Sequence, residues 1–242
     1  MSTRTLEIRV AGLPVQIVRK PIKNLHLGVY PPNGRVRVAV PTRVSDQAVR
    51  LAVIGKLGWI KRQRARFAEQ PRQARREMVS GESHYYLGRR YRLRVVFRPG
   101  PGRVVQRGRT ILELQVPDGA DVDRRERVLL RWYRSRLREL IPPLMGKWGR
   151  ALDVSVADWR IKRMKTKWGA CTVNARRVWV NLELAKKPSQ CLEYILVHEL
   201  CHLLERHHTA LFTALMDQHL PQWRSRRQEL NSAPLAHESW AY

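Results

Sequence analysis

The chain has 242 residues, room for one large or two small domains, and its 43% apolar content supports a packed core. No run of 18 apolar residues exists, which excludes a membrane-spanning helix, and an odd count of three cysteines (Cys171, Cys191, Cys201) without a CxxC pair does not suggest a disulfide or cysteine-rich zinc scaffold. The 47 lysines and arginines against 20 aspartates and glutamates leave a net charge of +27, which points either to an anionic partner, such as a nucleic acid or nucleotide, or to an arginine-rich proteome.

Met1 to Thr5 lead straight into strand-like alternation with no signal-peptide core, so a cytoplasmic location is expected. Leu6–Val10 and Val15–Arg19 read as strands separated by Gly12 and Pro14. Leu25–Tyr30 and Val36–Val40 flank a turn at Pro31-Pro32-Asn33-Gly34, where Asn-Gly signals a hairpin. Ser45 or Asp46 caps a helix running through Val49, Val53, Leu57 and Ile60 toward Phe67, and its basic end, Lys61 to Arg66, reads as a solvated face. Short strands follow at Tyr85–Leu87, Tyr91–Phe97, Arg103–Gln106 and Thr110–Val116. The polar stretch Asp118–Asp123 marks a boundary, giving a strand-rich region over 1–120 and a second domain over 121–242. A helix from about Arg124 to Leu140 has Val128, Leu129, Trp132, Leu137 and Leu140 on its apolar side, and Ile141-Pro142-Pro143 kinks or ends it. Strands at Val154–Ile161 and Val178–Leu182 bracket Lys165–Thr172, and Ser189 caps the next helix.

That helix ends in His198-Glu199-Leu200-Cys201-His202. Histidines four apart on a helix lie on one face, one turn apart, where both imidazoles can share a metal ion. Glu199 sits beside them without replacing a ligand, so this is an H-E-x-x-H arrangement in which zinc lowers the pKa of a bound water to roughly 7 and the carboxylate takes its proton. The apolar flanks Leu196, Val197, Leu200, Leu203 and Leu204 bury the helix, and buried imidazoles and a buried carboxylate need partners. A catalytic zinc needs a third protein ligand. Thr209 reads as the N-cap of a new helix through Phe212, Leu215 and Met216, so the chain turns at about Arg206 to His208. That turn ranks His208 first as third ligand, Glu205 second and His207 third. Cys201 faces away from both histidines and reads as core.

Four segments in order, Lys167-Trp168-Gly169-Ala170-Cys171, Val180-Asn181-Leu182, Val197 to Leu203, and His219-Leu220-Pro221-Gln222-Trp223, resemble the YgjP-like metallopeptidase family of zincins, related to the WLM and SprT-like groups. The family reads W-G-S-C where this chain has Ala170 in place of serine, so no hydroxyl there can serve catalysis. The resemblance implies an α+β fold: a strand-rich N-terminal half and a minimal zincin, in which a twisted antiparallel sheet packs on the metal-binding helix. It also implies His208 as the third ligand. In such zincins a peptide pairs with an edge strand. Val178–Leu182 is the candidate edge, with Val180 and Asn181 as substrate-binding positions.

The function expected is zinc-dependent hydrolysis of a peptide or protein, with Glu199 as general base and His198, His202 and His208 as ligands. Arg163, Lys165 and Lys167 are cationic neighbours with no assigned place. The alternatives are a metal-dependent nucleotide (nucleoside triphosphate) pyrophosphatase and a nucleic-acid-associated protease. Three imidazoles suit zinc better than the Mg²⁺ such nucleotide hydrolases use, and no glycine-rich phosphate loop appears.

Overall fold

A computed structural model describes residues 5–30, 34–69, 76–164 and 167–232. The chain divides into two compact units between residues 75 and 76.

In the first unit, β1 (Thr5–Val10) and β2 (Leu13–Lys20) form an antiparallel hairpin whose turn residues Ala11 and Gly12 both take positive φ, 49° and 78°. That is the two-residue turn whose twist matches paired strands. β4 (Arg35–Pro41) lies between β2 and β3 (His26–Tyr30), parallel to the first and antiparallel to the second, in the order β1-β2-β4-β3. The expected Pro31–Gly34 turn falls largely outside the described residues, but its flanks pair as a hairpin, with Tyr30 opposite Arg35. Alternation sends Val15, Ile17, Val36, Val38 and Val40 inward against Val49, Val53 and Ile60. The last three come from two helices, α1 (Asp46–Ile54) and α2 (Leu57–Glu69), where the sequence reads one. Gly55 ends α1, its N–H bonding the Leu51 carbonyl, and the helical pattern resumes two residues later.

In the second unit, β5 (Ser83–Tyr86), β6 (Arg89–Phe97), β7 (Arg103–Arg107) and β8 (Ile111–Val116) form a sheet in the order β5-β6-β8-β7. It shares one core with α3 (Val122–Ala151): Leu93, Leu112, Leu114 and Val116 are buried with Val128, Leu129, Tyr133 and Leu137. The polar stretch at 118–123 is therefore a helix start within one core, where the sequence reading places a domain boundary. Asp121 caps α3, accepting from the Arg124 N–H at 2.7 Å. α3 also continues past Pro142 and Pro143, so the prolines do not end it as the sequence reading allowed. The carbonyls those prolines leave without a helical donor belong to Arg138 and Glu139, both exposed to water, while Ile141 and Trp148 anchor the helix on its other side.

β9 (Asp158–Lys162), β10 (Gly169–Thr172) and β11 (Arg177–Asn181) make a small sheet in the order β10-β11-β9, followed by α4 (Ser189–Cys201), α5 (Ala210–His219) and α6 (Trp223–Ser232). The α+β class stands as read. The small sheet is mixed, not wholly antiparallel, because β9 runs parallel to β11. No helix among the described residues is long and apolar enough to cross a membrane.

Candidate metal centre

α4 is covered all round: Leu192, Ile195, Leu196, Val197, Leu200 and Cys201 are buried. Polar groups near its C-terminal end are therefore carried into the interior. Pro188, not Ser189, holds the N-cap position, and its carbonyl accepts from the Cys191 N–H at 2.9 Å. The regular helix stops at Cys201, yet His202 keeps helical backbone angles (φ −66°, ψ −16°), so His198 and His202 retain their one-turn relation. The chain then turns through 203–208. Thr209 caps α5 as the sequence indicates, its hydroxyl accepting from the Phe212 N–H at 3.4 Å.

This turn brings His208 back over α4. One nitrogen each from His198, His202 and His208 lie within 4.8 Å of one another, and Nε2 of His198 and of His208 are 3.1 Å apart. Buried Phe212 floors the group, its ring centre 5.0, 4.7 and 4.7 Å from those of His198, His202 and His208. Nδ1 of His202 lies 3.1 Å from the Glu205 carbonyl oxygen. As donor to that carbonyl it assigns the tautomer whose Nε2 carries the free lone pair. Burial, then the neighbouring imidazoles, pushes His198 down to about 3, and burial lowers His202 as well, so both are held as the neutral ring a metal requires. His198 Nδ1 is buried with no hydrogen-bond partner among the described residues.

Three imidazoles converging with no carboxylate among them suit a dication such as zinc, whose tetrahedral bonds of roughly 2.0–2.1 Å put ligand atoms about 3.3 Å apart. Glu205 is not in the group: its carboxylate accepts from the His207 N–H at 2.9 Å, closing its own turn. His207 is exposed and also outside it.

Glu199, next along α4, is 5% exposed, and burial pushes its carboxyl up to about 8 against the opposing pull of Lys167. β10 crosses directly over it. A Cβ on Gly169 would stand 2.5 Å from Glu199 Oε1 and 2.8 Å from Ile195 Cγ2, so only glycine lets the strand come this close. Beside them a cleft of about 640 Å³ is lined by Gly169–Thr172 of β10, the three histidines, Glu199, Tyr194, Arg206 and Arg227.

The strand offered as the edge by the sequence is misplaced. β11 is the middle strand and β10 is the edge that borders the cleft. Val180 and Asn181 therefore lie inside, 0% and 4% exposed. Asn181 is a latch: its Nδ2 donates to the Met164 and Lys167 carbonyls at 2.8 Å each, and its Oδ1 accepts from the Met164 N–H at 3.2 Å. It holds the segment leading into β10. The reading failed because three short strands do not announce their lateral order.

Of the cationic neighbours, Lys167 lines the cleft, Arg163 pairs with Glu126 and Glu183, and Lys165 lies outside the described residues. Cys171, read as core, is half-buried in the cleft wall, whereas Cys201 is fully buried. Tyr194 escaped the sequence reading although it stands one helical turn before His198. Its ring meets the His198 ring edge-on at 5.8 Å and is braced by Trp223, stacked at 6.5 Å. Arg227, from α6, left no local signal.

The chain matches the family described as "YgjP-like, metallopeptidase domain" over residues 23–233. It belongs to the YgjP-like metallopeptidase family. The activity class is thus metal-dependent peptide hydrolysis, with a peptide or protein as substrate. Among solved structures, the metallopeptidase zymogen of Pyrococcus abyssi abylysin is similar at 17% identity and a TM-score of 0.35, over 36% of this chain and 89% of its own. No curated protein matches this YgjP-like chain.

Proposed function

We propose that the protein is a zinc-dependent peptidase that takes its substrate as an extended strand along β10. The observation that carries the reading is the convergence of His198, His202 and His208 beside buried Glu199, beneath a strand with one free edge. The three histidines would hold the ion, which supplies Lewis acidity to the attacking water and to the scissile carbonyl. Among the described strands β10 pairs only with β11, so its outer N–H and C=O groups are open to a peptide backbone. Glu199 accepts the proton of the attacking water at its carboxylate and returns it to the departing amine. Its burial raises its basicity and so suits both transfers. The Tyr194 hydroxyl and Arg227, on the wall beside His198, are the donors to the carbonyl oxygen as charge develops.

The test is cleavage of casein and of a neutral peptide by the zinc-loaded protein and by Glu199→Gln. The variant keeps its metal and loses roughly 10²–10⁴-fold in turnover. Metal analysis of His208→Ala and Glu205→Ala accompanies it. Loss of zinc in the first and retention in the second is expected, and the reverse would transfer the third ligand to Glu205.

One observation favours a second reading. Lys167, Arg206 and Arg227 line the cleft with no carboxylate besides Glu199, which would also suit a nucleoside triphosphate. Release of pyrophosphate or phosphate, abolished by the same Glu199→Gln change in a protein inert toward casein, would replace the peptidase reading.

A further inference from the structure

The outer face of the β5-β6-β8-β7 sheet carries an arrangement of charge that the active site does not use. Alternation along β6 turns Tyr91 and Leu93 into the core and leaves Arg90, Arg92 and Arg94 exposed on the other side. The register carries this face across the sheet. Tyr85 stands opposite Arg90, Arg94 opposite Glu113, Arg103 opposite Gln115, and Arg107 opposite Ile111. Five guanidiniums thus share the face with one carboxylate.

That carboxylate is a spine. Glu113 is buried and accepts from Arg94, from Arg107 at 3.4 Å and from the Gln115 amide at 2.6 Å, while Gln115 Oε1 accepts from Arg103 at 2.7 Å. The Gln115 hydrogen bond, then that of Arg94, holds Glu113 down to about 2, so it stays ionised. Arg94 and Arg107 are fixed at one end yet keep 52% and 53% of their side chains in water. Each guanidinium has five N–H donors, so most remain free for a second partner. Arg90 and Arg92 make no ion pair with any described residue.

On one strand, arginines two residues apart repeat at about 6.6–6.8 Å, and the β6 and β7 rows are separated by two strand spacings, roughly 10 Å. Two parallel rows of forked cations match an extended polymer with a charge on every unit, since guanidinium meets phosphate through paired N–H donors. Tyr85, 39% exposed at the end of the β6 row and tied down through its carbonyl by the Tyr133 hydroxyl at 2.7 Å, offers a flat ring on which a base can stack. We propose that this sheet face is a docking surface for single-stranded nucleic acid. The inference does not depend on the peptidase reading.

The test is fluorescence anisotropy of a labelled single-stranded oligothymidylate titrated with the full chain at rising salt. Binding is expected at low salt and weakens as salt rises. Arg90→Gln/Arg92→Gln should weaken it at least tenfold and reduce the log–log salt slope by about 1.4, two contacts at roughly 0.7 each. Tyr85→Ala should cost roughly tenfold through lost stacking. Lys61→Gln/Arg62→Gln, on exposed α2 positions, should change affinity by less than about twofold, and all variants should cleave a neutral peptide as the parent does. Three results would overturn the proposal: no binding at low salt, an equal loss in the α2 variant, or capture by phosphatidylserine vesicles without capture of the oligonucleotide.

Discussion

Gly169 and Glu199 meet where β10 passes over α4, and their contact sets how the carboxylate is presented to the cleft. The methyl group of Gly169→Ala would fall on Glu199 Oε1 and on Ile195, a packed residue that cannot yield. We expect a stability loss of about 1–3 kcal/mol from overpacking. On the proposed mechanism turnover should fall at least tenfold, because the displaced atom belongs to the carboxylate proposed to accept the proton of the water. Thermal unfolding and steady-state kinetics of the zinc-loaded variant check both. Tyr194→Phe separates chemistry from packing at the neighbouring position. The ring keeps its stack on Trp223 and only the hydroxyl is lost, so zinc content should hold while kcat falls about 10²-fold with KM nearly unchanged. An unaltered kcat would remove the hydroxyl from the reaction.

At the scale of elements, the regular part of α4 ends one residue before His202, and the turn behind it delivers His208 while the cap at Thr209 fixes where α5 starts. Away from the metal group, β5 buries His84, 4% exposed, facing Glu82, Arg76 and Lys186. Burial, with Arg76 adding to it, lowers His84 from 6.5 to about 4. The unfolded chain therefore binds a proton between those values that the folded chain refuses. The stabilisation is complete above pH 6.5 and drains away as pH falls toward 4, by up to about 3 kcal/mol. Chemical denaturation of the parent and of His84→Gln across that window should show the parent losing more stability on acidification. Parallel curves would mean His84 titrates normally.

For the whole molecule, each unit has its own core, and the three histidines, Glu199 and the cleft all belong to the second. Residues 76–233 expressed alone should unfold cooperatively, bind one zinc and cleave peptide within about threefold of the full chain. An unfolded or inert product would show that the first unit is required for the site. The net charge of +27 acts at a different range from the chemistry. Screening over roughly 10 Å at 0.1 M salt reaches exposed guanidiniums but leaves buried Glu199 little affected. Cleavage of a small neutral peptide should therefore hardly change between low and moderate salt. A parallel fall of cleavage and nucleic-acid binding would place the basic surface in the active site.

Where candidate site residues sit on one regular element or at its cap, the sequence alone determined that they would be grouped. The grouping of His198, Glu199 and His202 was legible because a 3.6-residue period puts them at one end of one helix, and the expected cap at Thr209 ranked His208 ahead of Glu205 and His207 as the residue the turn brings back to them. The alternation of strands was legible too, and with it the two faces of each sheet. Lateral order was not: only the folded sheet shows that β11 is the middle strand, that Val180 and Asn181 are interior, and that β10 borders the cleft. The same holds for the shared core of β5–β8 and α3, which puts the division at 75/76 where a polar stretch suggested 120/121. Pairing partners and approach distances depend on contacts between residues far apart in sequence. No local period encodes those contacts, so Gly169 on Glu199 and Arg227 beside Tyr194 emerge only once the chain has packed.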